Sequence, residues 1–139
     1  MRLNAQNGVV VLIDDDRELR ELLAEYLDEA GYEVHTFENG TGVIQFLQNA
    51  HSKLESSQQI RVDTVVSDYK LPDTNGFEIL DFLASDFPHI PFIMMTSFGK
   101  PHLEKESKDK GAFGYIEKPF QLVDLNTILR NAIDSKKIA

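Results

Sequence analysis

Cysteine is absent from this 139-residue chain. Disulfides, thiolate nucleophiles and thiolate metal ligands are therefore excluded. Basic residues are scarce: 14 Lys and Arg stand against 23 Asp and Glu, a formal charge of −9. A domain that binds nucleic acid needs a basic face to neutralise phosphates, so direct nucleic-acid binding is not expected. No apolar run approaches the ~20 residues of a membrane-spanning helix. The first seven residues carry one basic side chain and no apolar core of a signal peptide, so a cytoplasmic location without membrane contact is expected. No glycine-rich loop follows the first apolar run, which leaves nucleotide binding without support. Repeats, low-complexity tracts and interdomain linkers are also missing. What is there is 42% hydrophobic and 27% charged, the composition of one globular domain large enough to bury a core without covalent staples.

Five short apolar runs punctuate the chain, at 9–13, 32–37, 64–67, 91–96 and 113–116. The first, third and fourth are nearly unbroken, as in parallel strands covered on both faces. Helical stripes fill the intervals. Leu19, Leu22, Leu23, Tyr26, Leu27 and Ala30 form one, with Gly31 as its C-terminal cap. Val43, Phe46, Leu47 and Ala50 form a second, and Ile79, Leu80, Leu83 and Phe87 a third, stopped by Pro88. Leu125, Ile128, Leu129, Ala132 and Ile133 form the last. Segment 101–110 has Leu103 as its one large apolar residue, so a helix there is expected to be marginal. Residues 52–61 read as a polar surface loop. Strands alternating with helices predict a single α/β domain, a (βα)5 doubly wound parallel sheet with right-handed crossovers.

Three acids, Asp14, Asp15 and Asp16, directly follow the first run. In open α/β folds that end of a strand is where ligands bind. One Asp suffices to cap a helix, and Asp16 is placed to do so. Three in succession repel, and a divalent cation or a phosphoryl-transfer site relieves the repulsion. The third run ends in Asp68, the fourth in Thr96 and Ser97, the fifth in Lys118-Pro119-Phe120. In a parallel sheet these ends share one edge, so acids, hydroxyl and ammonium converge. Carboxylates can hold Mg²⁺. An Asp can attack phosphorus to form an acyl phosphate. Hydroxyl, ammonium and metal can then share the phosphoryl oxygens. Plainer readings stand beside these: Lys118 as a solvated side chain, Tyr115 as strand packing, Ser97 as structural. His35, His51, His89 and His102 have no metal-ligand spacing. Pro72 and Gly76 shape the loop after Asp68, Pro by fixing φ and Gly by allowing angles denied to other residues.

Taken together, V-L-I-D-D-D-R-E-L-R, V-V-S-D-Y-K-L-P-D-T-N-G, I-M-M-T-S and Y-I-E-K-P-F resemble the receiver domain of two-component response regulators, in family order and spacing over almost the whole chain. The resemblance implies a flavodoxin-like strand order, 2-1-3-4-5. It implies one receiver domain over 1–139, core about 8–135, with no output domain in the chain. Asp68 would be the phosphoacceptor. Asp14 and Asp15 would be the acidic pair for Mg²⁺ (or Mn²⁺), Asp15 a direct ligand beside Asp68 and the backbone carbonyl of Lys70. Thr96 would be the hydroxyl that closes on the phosphoryl group, Lys118 its cationic partner, Tyr115 the aromatic that changes rotamer. The Lys118–Pro119 bond would be cis.

Lys70 and Phe98 stand two residues beyond Asp68 and Thr96, and the resemblance implies that these positions flank the route of water to phosphoaspartate. Neither supplies a base, so slow self-dephosphorylation is expected. The implied function is a phosphorylation-controlled signalling switch, not an enzyme acting on a separate substrate. It would be fed by a sensor histidine kinase or a histidine phosphotransfer protein, and a phosphorylation-dependent homodimer through the 101–135 face is open to it. The rival is an aspartyl-phosphate hydrolase of the haloacid dehalogenase type, with Asp14 as nucleophile of a D-x-D motif. Against it stand Glu18 where that family has Thr or Val, no second acidic pair at a later strand end, and no segment large enough for a cap. A receiver-like module that works without phosphorylation usually lacks one of the acids or the Lys, and none is missing here.

Overall fold

The computed structural model describes residues 7–50, 61–97 and 101–138. The polar segment at 52–60, His51 and Phe98 lie outside the described residues. Strands β1 (Gly8–Ile13), β2 (Tyr32–Phe37), β3 (Thr64–Asp68), β4 (Phe92–Thr96) and β5 (Gly114–Glu117) form one parallel sheet in the order β2-β1-β3-β4-β5. Helices α1 (Arg17–Glu29), α2 (Gly40–Ala50), α3 (Gly76–Asp86), α4 (Pro101–Asp109) and α5 (Leu122–Ile138) alternate with them. The alternation of strands and helices is the one read from the sequence, and the strand order is the one the resemblance implied.

The unbroken apolar runs explain the middle of the sheet. Every residue of β3 and β4 is buried, as are the last four of β1, whereas the edge strands β2 and β5 are only partly covered. Alternation sorts the side chains into two cores. Val10, Leu12, Val66, Ile93 and Met95 face Leu23, Leu27, Leu125 and Leu129 of α1 and α5. Val11, Ile13, Val65, Phe92 and Met94 face Val43, Leu47, Ile79 and Leu83 of α2 and α3. Tyr32 Oη donates to Asn126 Oδ1 at 2.8 Å and fastens the edge strand β2 to α5. Among the described residues no helix is long and apolar enough to cross a membrane.

Local signals behave as their chemistry requires, with two corrections. Asp16 is the N-cap of α1, its Oδ1 accepting from Leu19 N–H at 3.3 Å. The chain leaves α1 through Gly31 at φ +96°, the left-handed turn that favours glycine. Leu22, assigned by spacing to the buried stripe, is 53% exposed. Successive helical residues are about 100° apart, and with Leu23 and Leu27 facing the sheet Leu22 falls on the flank. Gly76 is glycine for closeness, not for an unusual φ: a Cβ there would meet Met94 Sδ at 2.6 Å and the Asp68 carbonyl oxygen at 3.1 Å. Helix α4 forms, held by buried Leu103 and by Ser107, whose Oγ donates to the Leu103 carbonyl at 2.6 Å. Its outer face carries the exposed pairs Lys105–Asp109 and Lys108–Glu104, each worth only about 0.3–0.5 kcal/mol.

Candidate functional site

Four strand ends deliver the site. Asp14 follows β1, Asp68 ends β3, Thr96 ends β4 and Lys118 follows β5. Register explains their convergence: Ile13 lies beside Ser67, Asp68 beside Met95 and Thr96 beside Glu117. Asp14 is fully buried and Asp68 is 7% exposed, while Asp15 opens to solvent. Carboxylate oxygens of the three lie within 4.8 Å of one another. Lys118 Nζ bridges the two buried acids, 2.7 Å from Asp14 Oδ2 and 3.0 Å from Asp68 Oδ2.

Asp14 is fixed at every polar atom. Its N–H donates to the Phe37 carbonyl at 3.0 Å, and its Oδ1 accepts from Asp16 N–H at 2.9 Å. Its carbonyl accepts from Arg20 Nη1 at 2.7 Å. Arg20 went unnoticed in the sequence; the available signal was an Arg on the first turn of α1, close to three acids. Lys118 N–H donates to the Thr96 carbonyl at 2.8 Å, and the following Lys118–Pro119 peptide is cis. From that backbone the ammonium reaches inward to the two acids.

The electrostatics follow from burial. Desolvation pushes the Asp68 carboxyl above its ordinary pKa, and the charge of Asp14 adds to it, against the opposing effect of Lys118. Burial also disfavours the Lys118 ammonium, yet the hydrogen bonds it donates to Asp14 and Asp68 outweigh this and hold its pKa above the usual lysine value. The ammonium is thus a fixed positive charge shared by two buried acids. The oxygen-only donor set fits Mg²⁺ or Mn²⁺, hard cations that take carboxylate and carbonyl ligands.

The other expected residues are placed less evenly. Thr96 is fully buried beside the acids. Tyr115 packs inward against the core beside α2 and α3, and among the described residues its hydroxyl has no hydrogen-bond partner. Burial and then the charges of Glu117 and Glu104 push its pKa up. Lys70 is exposed, on a loop whose backbone N–H at that residue serves the Asp68 carboxylate. His35 pairs with Glu33 at 2.7 Å and packs its ring at a tilt against Phe46, away from this edge. Beside Lys118, an apolar groove of about 350 Å³ is lined by Leu19, Leu22, Phe120 and Leu122 among others.

Comparison with known proteins agrees with this geometry. Residues 10–130 match the family described as response regulator receiver domain. The DNA-binding transcriptional regulator NtrC of Escherichia coli is 30% identical over 128 residues, covering 92% of this chain and 25% of that protein. The chain thus spans a quarter of the length of that curated relative. A response regulator receiver domain protein from Clostridium thermocellum superimposes with a TM-score of 0.82 at 27% identity, covering 94% of this chain and 98% of that one. The beryllofluoride-activated NtrC4 receiver domain dimer shares the fold, with a TM-score of 0.81 at 22% identity, covering 92% of this chain and 98% of that one.

Proposed function

The chain belongs to the response regulator receiver domain family, and on that premise we propose that Asp68 is its phosphoacceptor, served by Asp14, Asp15, Thr96 and Lys118. A receiver domain is a phosphoacceptor signalling module, which implies a histidine kinase or a histidine phosphotransfer protein as partner. The observation that carries the residue assignment is the Lys118 bridge between buried Asp14 and Asp68, at the edge where Asp15 opens to solvent.

The chemistry follows atom by atom. An Asp68 carboxylate oxygen attacks the phosphorus of a partner's phosphohistidine; the P–O bond forms as the P–N bond breaks and the imidazole leaves. Burial raises the energy of the carboxylate and so strengthens it as a nucleophile toward phosphorus. Asp15, Asp68 and the Lys70 carbonyl would hold Mg²⁺ or Mn²⁺, with Asp14 beside them, and the cation would supply positive charge for the phosphoryl oxygens. Lys118 neutralises a further oxygen. Thr96 closes on the product, and the Tyr115 hydroxyl, without a partner among the described residues, supports its following as a two-state element. The apolar groove beside Lys118 offers the partner a surface, which gives exposed Leu22 a purpose.

The Asp14-nucleophile alternative is disfavoured by that residue's complete burial and by the bonds to both its oxygens. Exposed Phe113 and Val123 support a phosphorylation-dependent homodimer through the 101–135 face. The surplus of acid supports a receiver that makes no nucleic-acid contact itself, and a kinase partner favours a cytoplasmic location. Incubation with a small acyl phosphate and Mg²⁺, read by intact mass, tests the core of this reading. One phosphoryl group should be added, and Asp68→Asn should prevent it. Labelling that survives in Asp68→Asn and vanishes in Asp14→Asn would sink it in favour of the hydrolase.

A further inference from the structure

The loop from Asp68 to α3 is fastened at its tip to a helix from the other half of the chain. Near the sheet, Tyr69 N–H donates to the Met95 carbonyl at 2.8 Å and Gly76 N–H to the Tyr69 carbonyl at 2.7 Å. Lys70 and Asn75 then pair across the loop, and Leu71 N–H reaches the Thr74 carbonyl at 3.2 Å, so the tip is Pro72-Asp73. Asp73 Oδ1 accepts from Gly40 N–H at 2.9 Å. Its Oδ2 accepts from Thr41 N–H at 2.9 Å and Thr41 Oγ1 at 2.7 Å. Gly42 N–H is taken by Asn39 Oδ1 at 2.9 Å. The first N–H groups of α2, which have no partners within the helix, are therefore divided between its local cap and a carboxylate 33 residues away.

An independent observation marks the same junction. A Cβ on Gly40 would lie 2.4 Å from Thr74 Cγ2. Threonine is stiff at χ1, so that methyl cannot swing aside freely. The loop tip and the start of α2 are in contact through both bonding and shape.

We propose that Asp73 is a positioning residue for the cation site: by clamping the loop tip to α2 it fixes the Lys70 peptide, whose carbonyl is a ligand in the function proposed above. The inference rests on that reading and extends it. The Lys70 carbonyl lies between two anchors, the Lys70 N–H on the Asp68 carboxylate before it and, after it, the loop tip, where Leu71 N–H bonds Thr74 and Asp73 bonds α2. Releasing the tip leaves the peptide of that carbonyl held by the 3.2 Å bond from Leu71 N–H to the Thr74 carbonyl, itself part of the released tip, and so loosens the carbonyl as a ligand. A carboxylate that only capped α2 would alter stability and leave cation affinity alone.

The test is calorimetric titration of the full chain with Mg²⁺ alone. Asp73→Ala should weaken binding by about tenfold, the lower end of what outer partners of metal ligands contribute. Gly40→Ala should weaken it by pushing Thr74 away, and adding Thr74→Ser, which removes only the crowded methyl, should restore it. Asp15→Ala, read in parallel, should abolish binding. If Asp15→Ala abolishes binding while Asp73→Ala and Gly40→Ala keep the parental affinity, the clamp serves helix stability and the inference is wrong. If Asp15→Ala itself binds Mg²⁺ as the parent does, the cation site is misassigned and the inference falls with it.

Discussion

Replacing Lys118 by Met isolates the electrostatic tension of the site, because Met keeps most of the side chain and removes only the charge. Lys118 Nζ sits 2.7 and 3.0 Å from two carboxylate oxygens, with the side chains of Asp14 and Asp68 at 0 and 10% exposure. At an effective dielectric constant of about 20, one such contact at about 3 Å has a Coulomb energy near 5–6 kcal/mol. Most of that is offset by the desolvation of the groups, and removing one partner of a buried pair typically costs about 3–5 kcal/mol. Proton uptake by Asp68, already displaced towards its neutral form by burial, limits the loss. We therefore expect the metal-free variant to be less stable by about 3 kcal/mol, or roughly 10 °C in melting temperature for a domain of this size. Cation binding should change in the opposite sense, since the ammonium no longer competes for Asp14 Oδ2 and Asp68 Oδ2. A gain of about 1.4 kcal/mol is tenfold in affinity, so Mg²⁺ should raise the melting temperature of Lys118→Met by more than it raises the parent's. Melts with chelator and with saturating Mg²⁺ measure both quantities. A metal-free variant as stable as the parent would show that Lys118 is not what makes the two buried carboxylates tolerable, and the reasoning would fail.

The same physics gives three shorter predictions. Asp15→Ala should be as stable as the parent or more so without metal, since an exposed carboxylate near two others is lost; a clear drop in the metal-free melt would make Asp15 a structural cap instead. Asp73, whose pKa the Thr41 hydroxyl and the Gly40 and Thr41 N–H groups lower to about 2, contributes stability that is present above its unfolded value near 3.9 and is lost as pH falls through about 2. The gap in melting temperature between parent and Asp73→Asn should accordingly close between about pH 5 and pH 2, and a gap that persists would mean the bonds are not ionic. Phosphoaspartate decay, followed by mass after removal of the phosphodonor, should be faster in Lys70→Asn, Phe98→Glu than in the parent; equal rates would clear these side chains of any part in water access.

How far the sequence could be read depends on which forces were local. Buried parallel strands announce themselves because both faces need apolar residues, so β1, β3 and β4 were legible from composition alone. Strand β5 was placed one residue early because Phe113 looks like core; it is 41% exposed, and the strand begins at Gly114. Asp14, Asp15, Asp68, Thr96 and Lys118 were legible because strand ends of a parallel sheet must share an edge. Arg20 and Asp73 were not. Each acts chiefly on backbone groups, which side-chain chemistry marks only faintly, as an Arg near three acids does for Arg20. Asp73 in particular bonds Gly40 and Thr41 across 33 and 32 residues, a pairing that only the crossover of the chain creates.

The two unread residues also make sense of the charge at this edge. Asp14, Asp15 and Asp68 with Lys118 leave two negative charges, which matches one divalent cation. Phosphorylation replaces the single charge of the Asp68 carboxylate by a phosphoryl group of up to two, a net gain of up to one negative charge near neutral pH, for which this group holds no further cation. Local electrostatics therefore favour return to the unphosphorylated state, and persistence of the product must come from geometry, from oxygens held apart by fixed donors and kept from water. That requirement falls on the backbone supports rather than on the acids. Asp14 is held through its N–H, its carbonyl and its Oδ1 by Phe37, Arg20 and Asp16, and the Asp68 loop is held at its tip by α2. The acids provide the chemistry in this arrangement, and Arg20 and Asp73 keep it in register.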